Sequence, residues 1–299
     1  MTHLPRPEGF TAEDLNMSRR ALGGLLFAGY ALGAGPANAA AITTDLQGVF
    51  ARDVSIPSAG VQLPGYLAMP ENARNRPVVL VVSEIFGVHE YIRDVCRRLA
   101  KAGYVAVAPD LFARAGDPSK LTDTAEIIKI VETATNAQVM GDLAATLDWL
   151  ATQPALGQKN RKFANVKKVG VTGFCWGGAV TWMAAAGLPV KAGVAWYGRL
   201  TKPAKGFLSG ENRPWPIDVI AGKHAPVLGL YAGKDKGIPL EDVEKMRAAL
   251  AAAGDKKSQI VIYPEAEHGF HADYRATYRE PDARDGWDRL LAWFAKYLN

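Results

Sequence analysis

The segment Gly173-Phe174-Cys175-Trp176-Gly177 places a thiol between two glycines, where the apolar run KKVGVTG gives way to the helical stretch GGAVTWMAAAG. That is the strand-turn-helix setting of a nucleophile elbow, G-x-S-x-G, with sulfur in place of the serine oxygen. The glycines matter because a sharp turn presses backbone against backbone, so side chains at positions 173 and 177 would clash. The central side chain is driven above the sheet edge. The helix behind it contributes free N–H groups and the positive end of its dipole, which favour a thiolate and an adjacent oxyanion.

A thiol nucleophile needs a base to take its proton and a carboxylate to orient that base. In strand-turn-helix enzymes of this kind the chain order is nucleophile, acid, histidine. The sequence supplies that order. Asp235, in LYAGKDKGIP, stands just beyond the apolar run PVLGLYAG, and His268, in YPEAEHGF, stands just beyond QIVIYP. Both positions fall at the carboxyl edge of a strand, where ligands bind in open α/β sheets. Asp242 sits inside a predicted helix, and His271, His89 and His224 are rivals to His268 at less favourable places. Asp110 closes the run YVAVAPD but precedes the nucleophile, so it reads as structural. Glu84 directly follows PVVLVVS, where a lone carboxylate would be costly to bury without a partner.

The elements that must position these groups alternate along the chain. GYLAMP, PVVLVVS, YVAVAPD, KKVGVTG, AGVAWYG, PVLGLYAG and QIVIYP read as strands, with helical patterns near 89–102, 121–152, 177–187, 239–253 and 283–298. Such alternation predicts a mostly parallel sheet with helices on both faces, in a single α/β domain over residues 41–299. Pro239 and Gly254 punctuate one helix as start and stop. The stretch KPAKGFLSGENRPWP, residues 202–216, reads as a surface loop.

Composition removes several function classes. With 299 residues, 48% hydrophobic and 22% charged, the chain can bury a full core. The net charge of +5 is scattered and forms no basic stripe with interleaved aromatics, which argues against a nucleic-acid partner. Two cysteines make no disulfide framework, and Cys96 shares a helical face with Ile92, Val95 and Leu99, as a buried apolar residue does. No pattern suggests a metal or an organic cofactor. Residues 1–40 read as a targeting segment. Arg19 and Arg20 precede an apolar stretch, Ala21 to Ala34, too short to span a bilayer, and Ala37-Asn38-Ala39 resembles a cleavage site. The pattern resembles a twin-arginine export signal, which predicts passage through that export machinery, a periplasmic destination and no stable membrane association after cleavage.

Together SEIFGVHEYIRDVCRRLAKAGYVAVAPDLFAR, GFCWGG, AGKDKGIP and EAEHGF resemble the dienelactone hydrolase family of α/β hydrolases over nearly the whole of residues 41–299. The resemblance implies a carboxymethylenebutenolidase-like enzyme of the α/β-hydrolase fold, acting on a small-molecule lactone or ester. It implies Cys175 as nucleophile, Asp235 and His268 as its partners, and Glu84 as a further acid that contacts the thiol and takes its proton when substrate binds. The backbone N–H groups of Ile85 and Trp176 would then form the oxyanion hole. Thiolates attack activated acyl groups well but leave readily, so lactones and activated esters suit the site better than peptides. A general carboxylesterase, a thioesterase or a catalytically silent binding protein are the alternatives. The family's arginine four residues after the histidine is replaced here by Ala272. Arg199, with Tyr197 beside it, or Arg275 could contact substrate in its place, although both arginines also read as surface residues.

Overall fold

The computed structural model describes residues 41–155, 158–204, 206–209 and 213–298, with the side chains of 155–161 excepted. The export signal expected over residues 1–40 lies outside the described residues. The elements are β1 (Val49–Ser58), β2 (Val61–Pro70), β3 (Arg76–Val82), α1 (Glu90–Lys101), β4 (Val105–Pro109), α2 (Thr124–Glu132), α3 (Asn136–Thr152), β5 (Pro154–Ala155), β6 (Gln158–Lys162), β7 (Ala164–Phe174), α4 (Trp176–Gly187), β8 (Ala192–Trp196), α5 (Pro216–Val219), β9 (Val227–Ala232), α6 (Leu240–Ala252), β10 (Gln259–Tyr263) and α7 (Glu280–Leu298). Eight strands form one sheet in the order β1-β2-β4-β3-β7-β8-β9-β10. From β4 to β10 every neighbour is parallel, and β1 and β2 are antiparallel additions at one edge.

The central strands are buried on both faces, which is why they read as continuous apolar runs rather than as alternations. On one face α1 and α7 pack Ile92, Val95, Leu99, Leu290 and Phe294 against the sheet, and Cys96 lies in that layer as a free, fully buried thiol. On the other face α3, α4 and α6 contribute Leu143, Leu147, Val180, Val243 and Met246. Among the described residues no helix is long and apolar enough to cross a membrane.

Besides the short β5, β6 and α5, which the sequence expectation lacks, two longer elements differ from it. The strand β1 carries no continuous apolar run because most of its side chains are at least partly exposed at the sheet edge. It is held by full antiparallel pairing with β2 across a turn at Ala59 and Gly60, both with positive φ, the geometry a two-residue hairpin requires. The single helix expected over 121–152 is two, α2 and α3. Thr135 accepts the N–H of Gln138 and starts the second, as Asp123 starts the first by accepting from Ala125 and Glu126.

Along the sheet, the chain steps from β3 outward to β4 on one side and from β7 outward to β8, β9 and β10 on the other. The carboxyl ends of β3 and β7 therefore meet at a topological switch point, where connections diverge and leave a crevice. Val82 pairs in register with Gly173, so the residues that follow, Ser83-Glu84-Ile85 and Phe174-Cys175-Trp176, emerge side by side.

Candidate active site

Cys175 is the cap residue before α4 and holds φ 54° and ψ −114°, a backbone state that a non-glycine residue keeps only where its surroundings impose it. The surroundings are explicit. A Cβ at Gly173 would lie 2.1 Å from the carbonyl oxygen of Gly177, and a Cβ at Gly177 would lie 2.4 Å from that of Val82. The Cys175 N–H donates to the carbonyl of Trp196 at 3.0 Å, which ties the turn to β8. These restraints hold the thiol above the sheet edge, half-buried, on a cleft of about 50 Å³ that His268 also lines.

Asp235 follows β9 and divides its carboxylate between two tasks. Its Oδ1 accepts the N–H groups of Gly237 and Ile238 at 2.9 and 3.0 Å. Its Oδ2 lies 2.8 Å from His268 Nδ1. Both side chains are buried. Burial alone would push the His268 imidazole down, but the Asp235 carboxylate and Cys175, through charge and hydrogen bonding, hold it up at about 9. The sequence-derived trio of Cys175, Asp235 and His268 is thus brought to one place from three separate loops. Trp176 is the first residue of α4, where an N–H has no acceptor within its own helix, and Ile85 follows β3, whose last residue, Val82, pairs in register with Gly173.

Glu84 is fully buried, and two of its three partners come from the far end of the chain. Tyr274 O–H donates to Oε2 at 2.6 Å, His89 Nε2 lies 3.5 Å from the same oxygen, and Arg275 Nη1 lies 3.5 Å from Oε1. Burial disfavours its charge, yet His89, Arg275 and Tyr274 outweigh that and hold the carboxyl at about 2.

Arg275 is not the surface residue that sequence suggested: it is 2% exposed and paired with Glu84. No local pattern could show this, because the two residues are separated by most of the chain. Arg199 does reach the cleft, alongside Tyr197, whose ring meets His268 edge-on at 5.0 Å between centroids. The stretch 202–216 is likewise more than a surface loop. Its Phe207, Leu208 and Trp215 are buried and roof the cleft. Arg213 lies over the Trp215 ring at 5.2 Å and donates to Asn136 of α3, whose side chain donates in turn to the Pro214 carbonyl. Three large apolar side chains among the prolines and glycines were the sequence signal for this roof.

His271, the rival histidine, has a different task. Its Nδ1 lies 2.6 Å from Tyr91 O–H, and its ring packs against Phe174, Trp196 and Trp287. Burial, with Arg98 nearby, pushes it down to about 3. An unfolded chain binds a proton there near pH 6.5, so the stability it contributes is present above pH 6.5 and is lost as pH falls toward 3. We expect the melting temperature to drop between pH 7 and pH 4. His271→Asn keeps an acceptor for Tyr91 but cannot titrate in this range, and should shrink that drop by several degrees in thermal scans. An undiminished drop would remove His271 from the account.

Comparisons with known proteins identify the family. The sequence profile described as the dienelactone hydrolase family matches residues 63–298. The chain belongs to the dienelactone hydrolase family. A protein of Methylorubrum extorquens provisionally named carboxymethylenebutenolidase is 47% identical over 290 residues, covering 96% of this chain and 95% of that protein. An Escherichia coli protein with the same provisional name is 44% identical over 272 residues, covering 90% of this chain and 95% of its own. The crystal structure of a Klebsiella pneumoniae protein, provisionally described as a dienelactone hydrolase, superposes with a TM-score of 0.76 at 47% identity, covering 83% of this chain and 99% of that one. The chain is accordingly an α/β-fold hydrolase of this family. Among the described residues no group of three or more His, Cys, Asp or Glu side chains could hold a metal ion.

Proposed function

We propose that this hydrolase cleaves lactones or activated carboxylic esters through an acyl-enzyme on Cys175. The observation that carries the reading is the pairing of His268 Nδ1 with Asp235 Oδ2 at 2.8 Å, with His268 and Cys175 lining the same cleft. His268 takes the Sγ proton and sulfur attacks the acyl carbon. The N–H groups of Ile85 and Trp176 receive the oxyanion, an interaction whose loss costs about a hundredfold or more in comparable sites. Collapse expels the alkoxide or enolate, which takes the proton from His268. Water, deprotonated by His268, then cleaves the thioester and releases the acid. Arg199 and Tyr197 meet substrate at the cleft wall. The provisional names of the relatives support an enol lactone as substrate. The paired arginines and apolar stretch near the N-terminus support export to the periplasm as part of the same proposal.

Trapping the acyl-enzyme tests this. The protein is mixed with a panel of lactones, aryl esters and thioesters, quenched in acid and read by intact and peptide mass spectrometry. We expect the acyl mass on the peptide containing Cys175 for at least one turned-over substrate. Turnover with the adduct on another residue would defeat the proposal.

A further inference from the structure

The cleft beside Cys175 is short, and apolar side chains close it off. Ala179, Val180 and Met183 of α4 line it, and Phe207, Leu208 and Trp215 cover it. Its volume of about 50 Å³ is room for roughly four water-sized groups. The cover is firmly built. Within the turn over 206–209, closed by the Ser209 N–H on the Gly206 carbonyl at 3.0 Å, Leu208 holds φ 64°, a backbone state that a non-glycine residue keeps only where its surroundings impose it. That turn buries the side chains of both Phe207 and Leu208. Trp215 is also buried, and its N–H donates to Asp218 Oδ2 at 2.8 Å while the Ile217 N–H donates to the carbonyl of Leu200, beyond β8, at 3.1 Å. The Arg213 guanidinium lies over the indole. Asn136, the first residue of α3, pins the segment from the side: its Oδ1 accepts from Arg213 Nη1 at 3.3 Å, and its Nδ2 donates to the Pro214 carbonyl at 3.1 Å.

Resting on the reading of Cys175 as nucleophile, we propose that Trp215 sets the length of the acyl group: the enzyme takes compact acyl groups of up to about four carbons, and the indole turns longer ones away. The acyl group is the part concerned because it stays bonded to sulfur through both half-reactions, whereas the leaving group departs after the first. It must fit the cleft as the thioester and in both tetrahedral states. A longer chain meets the indole. Displacing that ring disturbs Arg213, Pro214 and the contact with α3 together, and a densely packed interior yields poorly even to one extra methylene. Trp215 is thus a specificity-determining residue, and Asn136 is a positioning residue that acts through it.

The readout is kcat/KM for p-nitrophenyl acetate, butyrate, hexanoate and octanoate, which share a leaving group and differ only in chain length. For the parent we expect a fall of about tenfold or more between butyrate and octanoate, on the scale by which apolar pockets discriminate methylenes. Trp215→Ala should raise the octanoate-to-acetate ratio by about tenfold or more, and Asn136→Ala should raise it by a smaller factor. The ratio cancels any general loss of competent enzyme, so a merely structural role for either residue, which lowers all four substrates alike, leaves it unmoved. Circular dichroism checks that each variant is folded, and Trp215→Leu, which keeps a buried apolar side chain, serves if Trp215→Ala does not fold. A parent profile that is flat or rises with length, or an unchanged ratio in the Trp215 variant, with the acyl mass still found on Cys175, overturns this proposal alone. So does failure to turn over any of the four esters while lactones are cleaved. An acyl mass on another residue overturns the nucleophile reading and this proposal with it.

Discussion

Replacing Cys175 by alanine is expected to reduce turnover of an activated ester by about 10⁴-fold or more, leaving the fold intact. Triads act as a unit, so removing the nucleophile forfeits nearly all of the covalent route while binding and oxyanion contacts persist. The backbone at this position is held by the close approach of Gly173 and Gly177 to their neighbours and by the bond from Cys175 N–H to the Trp196 carbonyl, none of which needs sulfur. The melting temperature should therefore change little, and circular dichroism spectra of the two proteins should superpose. Cys175→Ser retains a nucleophilic atom without the acidity of a thiol and should keep a trace of activity. The check is kcat/KM on the best substrate of the panel for all three proteins. Activity in Cys175→Ala within tenfold of the parent would end the covalent account.

Asp235→Asn should cost about 10⁴-fold in kcat, the effect seen when the orienting carboxylate of a comparable triad is made neutral. The geometry here decides which way the amide turns. Two backbone N–H groups, from Gly237 and Ile238, need an acceptor at the Oδ1 position, so the amide oxygen stays there and the NH₂ group faces His268 Nδ1. Nδ1 must then accept, which moves the imidazole proton to Nε2. A ring protonated on Nε2 cannot take the thiol proton. The same change removes the carboxylate charge that helps hold His268 at about 9, so the imidazolium is lost at lower pH. The measurement is kcat with its pH profile, alongside a thermal scan to show that the loop cap survives. A profile and rate indistinguishable from the parent would mean that Asp235 serves only the turn.

The parallel core of the sheet was legible in the sequence because strands buried on both faces must be apolar throughout, and six of the seven apolar runs supply the parallel strands, with GYLAMP forming the antiparallel β2 and QIVIYP the partly exposed edge. The edge strand β1 was not, because a half-exposed strand carries mixed side chains and is stabilised by pairing with β2. The division of residues 121–152 into α2 and α3 escaped for a related reason: both halves are amphipathic, and the break rests on one hydrogen bond from Gln138 N–H to the Thr135 hydroxyl.

The glycines around Cys175 and the strand ends before Asp235 and His268 are local features, and local sterics are written in consecutive residues. Sequence by itself therefore determined the elbow, the chain order of the three groups and the sheet that presents them. Tertiary structure alone decided what surrounds them. Glu84 meets Tyr274 and Arg275 across 190 and 191 positions, and Trp215 roofs a thiol set forty residues earlier. A buried charge is stable only beside its partner, and the choice of partner depends on which loops the fold brings to one crevice, a relation that no short stretch of chain contains.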